Sequence, residues 1–196
     1  MRFSIVVACS SATTLSDNLL KSFNIKEHDL HIKFGFKKPC VAYNEAIDKC
    51  TEDIIIFVHQ DVYLPGSFFE DLIISIGKLC YANWGVLGVA GMLEDKYSYN
   101  VCDRGNLLRS NDLKPAFVET LDELILIVKK SSFDKIKFDE DIPNHHLFGT
   151  DLCLQAIKHG MRNYVIDAYC EHNSLLLNEL PEDYFITEEY IKNKSL

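Results

Sequence analysis

The sequence predicts one α/β domain with a largely parallel, mixed sheet flanked by helices. Apolar runs rich in β-branched residues alternate with segments whose apolar residues recur at helical spacing, which is typical of strands joined by helices. The chain has 196 residues, of which 47% are hydrophobic and 25% charged. It is therefore long enough to bury a sizeable core, and its composition disfavours disorder, a collagen-like repeat or a coiled coil.

The expected elements follow from these patterns in chain order. Short apolar runs predict strands over residues 3–9, 30–34, 53–58, 86–90, 124–129 and 163–166. Helical periodicity and capping residues predict helices from a cap at Ser16 or Asp17 through Phe23, and over residues 43–50, 67–80 and 151–160. Gly160 is a natural stop for the last of these helices.

Two segments lack a clear period. Residues 93–115 mix aromatic and polar side chains, so we expect a long surface loop there. Residues 1–180 are expected to form the domain, and residues 181–196 an acidic, aromatic tail with a short helix over 187–194. Such a tail would serve as a flap or as a contact in a homo-oligomer.

Charge, cysteine content and hydropathy exclude several classes of protein. Lys and Arg number 20 against 29 Asp and Glu, a net charge of −9 with no basic run, which argues against a nucleic-acid partner. The 7 cysteines are scattered without a CxxC pair and indicate reduced, mostly buried thiols in a cytoplasmic protein. No apolar run approaches the roughly 20 residues of a membrane span, so no integral membrane segment is expected.

Three polar residues follow the most apolar strand directly. His59, Gln60 and Asp61 come at the carboxyl end of the strand predicted over 53–58, and ligands in open α/β sheets bind beyond such ends. The structural alternative is that Asp61 only caps the turn before Pro65. Three adjacent polar side chains, two of them able to bind metal, favour a site.

At this point the order of motifs resembles a known family. The residues concerned are Asn44-Glu-Ala-Ile, Ile54-Ile-Ile-Phe-Val-His-Gln-Asp-Val62, Phe138-Asp-Glu, Gly149-Thr-Asp-Leu-Cys-Leu-Gln-Ala-Ile-Lys-His-Gly160 and His172. They resemble the family 2 glycosyltransferases, and within them a compact branch in which His-Gln-Asp replaces the usual Asp-x-Asp. The resemblance covers about residues 3–175. It implies a single-domain nucleotide-diphospho-sugar transferase fold, the Rossmann-like GT-A fold.

The resemblance also implies an activity. Members of this kind transfer a sugar, with inversion, from a nucleoside diphosphate sugar to an acceptor hydroxyl on a saccharide, a lipid-linked sugar or a protein. Asp61 matches the acid that holds Mn²⁺ or Mg²⁺ on the donor diphosphate, and His172 matches a histidine that joins the metal. One carboxylate can suffice because phosphate and water complete the shell. His59 stands where many members have an acid, which favours Mn²⁺, since that ion tolerates imidazole.

The remaining site residues are assigned in the same way. Asp151 matches the region that supplies the general base, although an Asp at a helix start is also a favoured N-cap. Asn44 matches an asparagine that begins the helix under the donor, and it too has an N-cap as its alternative. The predicted nucleotide-binding residues are Ala8, Cys9, Ser10, Asn44, Gln60 and Asp61.

Departures from the family pattern keep a second function open. Gly35 and Phe36 occupy the place where members that read uracil carry an acid, and residues 148–150 lack the second carboxylate that often precedes the base. The chain could therefore be a catalytically weak or inactive nucleotide-sugar-binding module. A nucleotidyltransferase is disfavoured because residues 10–14 contain neither Gly nor Lys to cradle a phosphate.

Two further patterns have plainer interpretations. Gly85, Gly88 and Gly91 do not form a dinucleotide fingerprint and indicate close packing around a strand. His145 and His146 have no third ligand at the spacing of a known zinc motif, so we interpret them as loop histidines.

Overall fold

A seven-stranded mixed sheet forms the centre of the structure, a computed structural model that describes residues 1–174 and 180–194. From edge to edge its strands are Asp29–Phe34 (β2), Ser4–Cys9 (β1), Ile54–Val58 (β3), Ile125–Lys129 (β11), Trp84–Gly88 (β5), Arg162–Val165 (β12) and Ala116–Val118 (β9). β1 is parallel to β2 and β3, and β5 is parallel to β12. β11 is antiparallel to both its neighbours, and β9 is antiparallel to β12. The predicted α/β class with a mixed sheet is confirmed, but three of these six strand pairs are antiparallel, so the sheet is not largely parallel.

A second, smaller sheet lies beyond the carboxyl ends of β3 and β5. Its strands are Thr120–Leu121 (β10), Ala90–Leu93 (β6), Lys96–Asp103 (β7), Cys170–His172 (β13) and Val62–Tyr63 (β4), in that order, with Asn106–Arg109 (β8) paired to β7. The prediction of a long loop over 93–115 is therefore wrong. β7 buries the polar side chains Ser98 and Asn100, so no apolar period is visible, and hydrogen bonds such as Ser98 Oγ to Asp112 Oδ2 at 2.7 Å satisfy them.

Helices cover both faces of the central sheet. They are Ala12–Asp17 (α1), Pro39–Ile47 (α2), Phe68–Lys78 (α3), Phe148–Lys158 (α4) and Glu182–Asn193 (α5), with 3₁₀ turns at Leu19–Lys21, Ile25–Glu27 and Lys130–Asp134. Among the described residues, none of the helices is long and apolar enough to span a bilayer.

The starts of three helices differ from the predictions. α1 begins earlier than expected because Ser11 Oγ, not Ser16 or Asp17, accepts the capping hydrogen bond, from Thr14 N at 3.2 Å. α2 begins at Pro39, whose fixed φ suits the first helical position, so Asn44 lies inside the helix and does not cap it. α4 begins at Phe148, so the N-cap alternative for Asp151 is also wrong.

Strand alternation distributes the core over two layers. In β3, Ile54, Ile56 and Val58 pack on the face covered by α1 and α3, whereas Ile55 and Phe57 pack on the face covered by α2 and α4. All five are buried, and each such side chain contributes about 1.5–3 kcal/mol relative to an exposed one. The two apolar clusters therefore fix the sheet between helical layers.

Close packing explains the spaced glycines. A Cβ on Gly85 of β5 would lie 2.6 Å from the Cβ of Ala156 in α4, and one on Gly88 would lie 2.9 Å from the carbonyl oxygen of Ile125. The interpretation of these glycines as packing positions is confirmed.

The cysteines also match the expectation. All seven are free thiols within the described residues; Cys80 is exposed, Cys102 is half-buried and the others are buried. Burial raises the pKa of Cys40 to about 12 and that of Cys50 to about 11, so these thiols are poor nucleophiles.

The tail forms a longer helix than predicted and docks on the rest of the chain. α5 spans Glu182–Asn193 and buries Thr187 and Ile191. Beyond its end, Lys194 Nζ lies 2.8 Å from Asp139 Oδ2, which also accepts a hydrogen bond from Tyr190 OH at 2.8 Å. The tail thus lies against the loop that precedes α4.

Candidate functional site

A cavity of about 450 Å³ opens at the carboxyl ends of β1, β2 and β3. Its position follows from the parallel pairing of these strands, which brings their carboxyl ends to one edge of the sheet. The cavity is lined by Ala8, Cys9, Ser10, Lys33, Phe36, Lys37, Pro39, Tyr43, His59, Gln60, Asp61, His145 and Phe148.

A cluster of His59, Asp61 and His172 lies at this cavity. The first two residues follow β3, and the antiparallel pairing of β4 with β13 places His172 opposite Val62. The ligand atoms of the three side chains all lie within 4.8 Å of one another, and His172 Nε2 is 3.7 Å from Asp61 Oδ2. The second sheet therefore brings together residues that are more than a hundred positions apart in the sequence.

The cluster has the donors that a divalent cation needs. Oδ1 of Asp61 is buried and has no hydrogen-bond partner among the described residues, which is costly for a carboxylate oxygen. A cation would supply that partner. Two imidazoles and one carboxylate suit Mn²⁺ better than Mg²⁺, which prefers oxygen ligands.

Asp61 and His172 each stabilise the charged form of the other. Burial raises the pKa of Asp61, but the neighbouring His172 outweighs it, so the pKa of Asp61 lies below its usual value. Burial lowers the pKa of His172, but Asp61 and Asp103 together bring it above its usual value. His172 Nδ1 lies 2.9 Å from Asp103 Oδ1, which leaves Nε2 facing Asp61. Burial dominates at His59 and lowers its pKa.

Gln60 holds the loop between β1 and α1. Its Oε1 accepts hydrogen bonds from the backbone N–H groups of Ser10 at 3.0 Å and Ser11 at 2.9 Å, and its Nε2 donates to Ser10 Oγ at 2.9 Å. Cys9 Sγ also lies 3.2 Å from this Oε1. Gln60 therefore lines the cavity with its amide already paired and positions the loop.

Asn44 lies away from the cavity lining. Its Nδ2 donates to the carbonyl oxygen of Phe138 and to Glu140 Oε1, both at 2.8 Å. These hydrogen bonds join α2 to the segment before α4, and Asn44 is not among the residues that line the cavity.

Asp151 is buried beside the tail and is not among the lining residues. Its Oδ2 accepts a hydrogen bond from Gln155 Nε2 at 2.7 Å, and its Oδ1 lies 2.6 Å from Lys194 Nζ. It has no exposed surface. Asp151 and Asn44 therefore do not line the cavity, whereas His172 contacts Asp61, which does. The predicted site residues that line the cavity are Ala8, Cys9, Ser10, His59, Gln60 and Asp61.

The sequence interpretation missed two lysines in the cavity lining, and it named Phe36, which also lines the cavity, only as the position of an absent acid. Lys33 is the second-to-last residue of β2, and its Nζ lies 3.1 Å from Glu45 Oε2 and 5.0 Å from the centre of the Phe36 ring. Lys37 also lines the cavity. The rule that ligands bind beyond strand ends would have pointed to these residues, since β2 is parallel to β1.

Glu123 was also missed. It precedes β11, its carboxylate accepts a hydrogen bond from the backbone N–H of Leu147 at the start of α4, and burial with the neighbouring Asp122 raises its pKa to about 8. The position of Glu123 follows from the strand pairing, because β11 is antiparallel to β3 and begins where β3 ends.

Comparison with known sequences gives one partial relative. No protein-family model matches the chain. Open reading frame 6 of the ATP synthase subunits region of Fuscovulum blasticum is 31% identical over an alignment of 140 residues, and the match covers 66% of this chain and 55% of the relative. The chain thus spans little more than half the length of this curated relative.

Comparison with solved structures identifies the fold. Residues 1–349 of S. aureus TarS match with a TM-score of 0.60 at 15% identity, covering 100% of this chain and 67% of that one. The same protein in complex with UDP-GlcNAc matches with a TM-score of 0.60 at 16% identity, covering 100% and 68%. A197 from STIV matches with a TM-score of 0.52 at 15% identity, covering 93% and 99%. The chain has the GT-A fold of the glycosyltransferases.

Proposed function

We propose that this chain is a glycosyltransferase that moves a sugar, with inversion, from a nucleoside diphosphate sugar to an acceptor hydroxyl, assisted by a divalent cation. The observation that carries the proposal is the cluster of His59, Asp61 and His172 at the cavity, with a buried Asp61 oxygen that has no partner among the described residues. The fold supports it, since TarS, which shares this fold, has been crystallised with UDP and with UDP-GlcNAc.

The three residues of the cluster form the candidate cation-binding site. His59, Asp61 and His172 would hold Mn²⁺, or Mg²⁺ with more water, and the cation would neutralise charge on the departing diphosphate. Lys33 and Lys37 add positive charge to the lining of the cavity. Gln60 keeps the backbone of Ser10 and Ser11 in place beside the ligand.

The general base is assigned to Asp151, as the family resemblance implies. In the arrangement described above its carboxylate is paired with Lys194, so the role requires the end of the tail to move away. Glu123 is the second candidate. It lies two residues before Ile125, which pairs with Val58 at the carboxyl end of β3, and its raised pKa of about 8 suits proton transfer near neutral pH.

Sugar transfer, or donor hydrolysis where no acceptor is at hand, tests this assignment. Asp151→Asn should bind donor as the wild type does and lower turnover by about 10²–10⁴-fold. Full turnover in that variant would move the base to Glu123 or to the carboxylates at 139–141. A thermal-shift panel of nucleoside diphosphates, with and without Mn²⁺, identifies which nucleobase the chain prefers, because a ligand that binds only the native state raises the melting temperature.

The second candidate function is a nucleotide-sugar-binding module without catalysis. It is favoured by one observation, the complete burial of Asp151 against Lys194. A wild type that binds the donor tightly and neither transfers nor hydrolyses it would support this reading, whereas turnover by the wild type would exclude it.

A further inference from the structure

A second cluster of metal-binding side chains joins the tail to the rest of the chain. His145 and His146 lie directly before α4, and Asp183 lies in the first turn of α5. One ligand atom from each side chain lies within 4.8 Å of the other two. Because Asp183 is 37 residues beyond His146, no spacing rule for zinc motifs reveals this third ligand.

The distances in this cluster fit a small tetrahedral site. Four ligands at the 2.0–2.1 Å typical of zinc lie about 3.3 Å from one another. His146 Nε2 lies 3.4 Å from Asp183 Oδ1, and the rings of His145 and His146 are 4.1 Å apart between centroids. The two histidines and the carboxylate can therefore converge with small side-chain rotations.

Two observations support a ligand at this place. His146 Nε2 is buried and faces Asp183 Oδ1 at 3.4 Å without a well-formed hydrogen bond within the described part of the chain, and a cation between the two atoms would satisfy both. Asn144 Nδ2 donates a hydrogen bond to the backbone carbonyl of Asp183 at 2.6 Å, which orients the first turn of α5 toward the loop that carries the histidines.

We propose that His145, His146 and Asp183 bind a zinc ion that fastens α5 to the loop before α4. His145 is exposed, so solvent can occupy the fourth position. Two imidazoles favour Zn²⁺ over Mg²⁺ or Ca²⁺. Because α5 leads directly to Lys194, zinc stabilises the arrangement in which that lysine covers Asp151.

Hydrogen exchange of the α5 amides, with and without Zn²⁺, tests the proposal on the full chain. Zn²⁺ should slow exchange over residues 182–193, by about 100-fold at a free concentration 100 times the dissociation constant. His146→Ala and Asp183→Asn should each abolish this protection. His159→Ala, at the exposed end of α4, is the matched control and should keep it.

The same experiment must separate this site from the cluster at the cavity, which has the same kinds of ligand. Asp61→Asn should leave the zinc protection of α5 intact and remove one zinc ion at most from the stoichiometry measured by equilibrium dialysis. His146→Ala should remove one zinc ion from both the wild type and Asp61→Asn. Co²⁺ bound to Asp61→Asn should show the intense visible absorption of a tetrahedral site.

Protection of α5 that persists in both His146→Ala and Asp183→Asn would overturn the proposal. So would a zinc stoichiometry that these variants leave unchanged. Loss of protection in Asp61→Asn alone would assign the zinc to the cavity cluster and would also overturn it. None of these outcomes depends on sugar transfer, so the proposed function stands or falls separately.

Discussion

Lys194 Nζ lies 2.6 Å from Oδ1 of Asp151, a carboxylate with no exposed surface. The same amine lies 2.8 Å from Asp139 Oδ2. The lysine therefore pairs with two carboxylates, one from the loop before α4 and one from the first turn of α4. Docking of the tail therefore brings a positive charge to the buried Asp151.

Replacing Lys194 should destabilise the protein. Lys194→Met leaves Asp151 buried with only Gln155 as partner, and breaking such a buried pair costs about 3 kcal/mol. Adding Asp151→Asn should recover part of the loss, because the uncompensated charge is then gone. Chemical denaturation of the single and double variants measures both effects.

Lys192→Met is the control for that series. Lys192 is exposed and pairs with Glu188 on the same helix, a contact worth about 0.3–0.5 kcal/mol. If Lys194→Met were no more destabilised than Lys192→Met, the buried pair would not contribute as described.

The docking of the tail should weaken in acid. Burial raises the pKa of Asp139, but hydrogen bonds from Lys194, from the backbone of Asp141 and from Tyr190 bring it below its ordinary 3.8. A lowered pKa adds stability that is fully present above pH 3.8 and disappears as the pH falls through the lower folded value. The free energy of unfolding of Asp139→Asn should therefore fall short of the wild type at pH 6 and converge with it below pH 3.8. A difference that does not change with pH would contradict this account.

Glu123→Gln should alter stability in the opposite pH range. Burial and Asp122 raise the pKa of Glu123 from 4.5 to about 8, so ionisation opposes folding. The wild type should lose stability relative to Glu123→Gln as the pH rises from 4.5 to about 8, and the difference should stay constant above that. Gln keeps the oxygen that accepts from Leu147 N. If the difference in free energy of unfolding between the two proteins stayed constant from pH 5 to pH 9, the carboxyl group would not have a raised pKa, and the prediction would be wrong.

Thiol labelling of the native protein should give one fast phase. Cys80 is exposed, Cys102 is half-buried, and the other cysteines are buried. A chromogenic disulfide should therefore label one thiol per chain rapidly, and Cys80→Ser should remove this phase whereas Cys102→Ser keeps it. A fast phase that survives in Cys80→Ser would contradict this prediction, because Cys102 or a buried thiol would then be accessible in solution.

The fold was predictable because the central strands are apolar and alternate with helices. The runs around Ile56 and Ile127 are buried on both faces, and burial of this kind leaves a clear mark in the sequence. Residues 96–109 were not predictable, since β7 is held by hydrogen bonds of buried polar side chains rather than by an apolar face. Helix starts depended on Pro39 and on tertiary contacts at Leu147, which capping preferences alone do not reveal.

The candidate site was predictable where it depends on strand ends. His59, Gln60 and Asp61 follow the most buried strand, and their position at the cavity comes from that fact. The surroundings of Asp151 were not predictable, because they depend on Lys194 folding back over more than forty residues. The pairing of Asp183 with His146 depends on the same docking of the tail.

Calorimetry with the nucleoside diphosphate that the thermal-shift panel selects, in Mn²⁺ and in a chelator, tests the central claim most directly. The wild type should bind this nucleotide more tightly with Mn²⁺, because a cation held by His59, Asp61 and His172 would neutralise charge on the diphosphate. Asp61→Asn should bind it equally in both conditions, whereas Asp95→Asn, in the exposed turn between β6 and β7, should behave as the wild type. Equal affinity of the wild type with Mn²⁺ and with chelator would contradict the account.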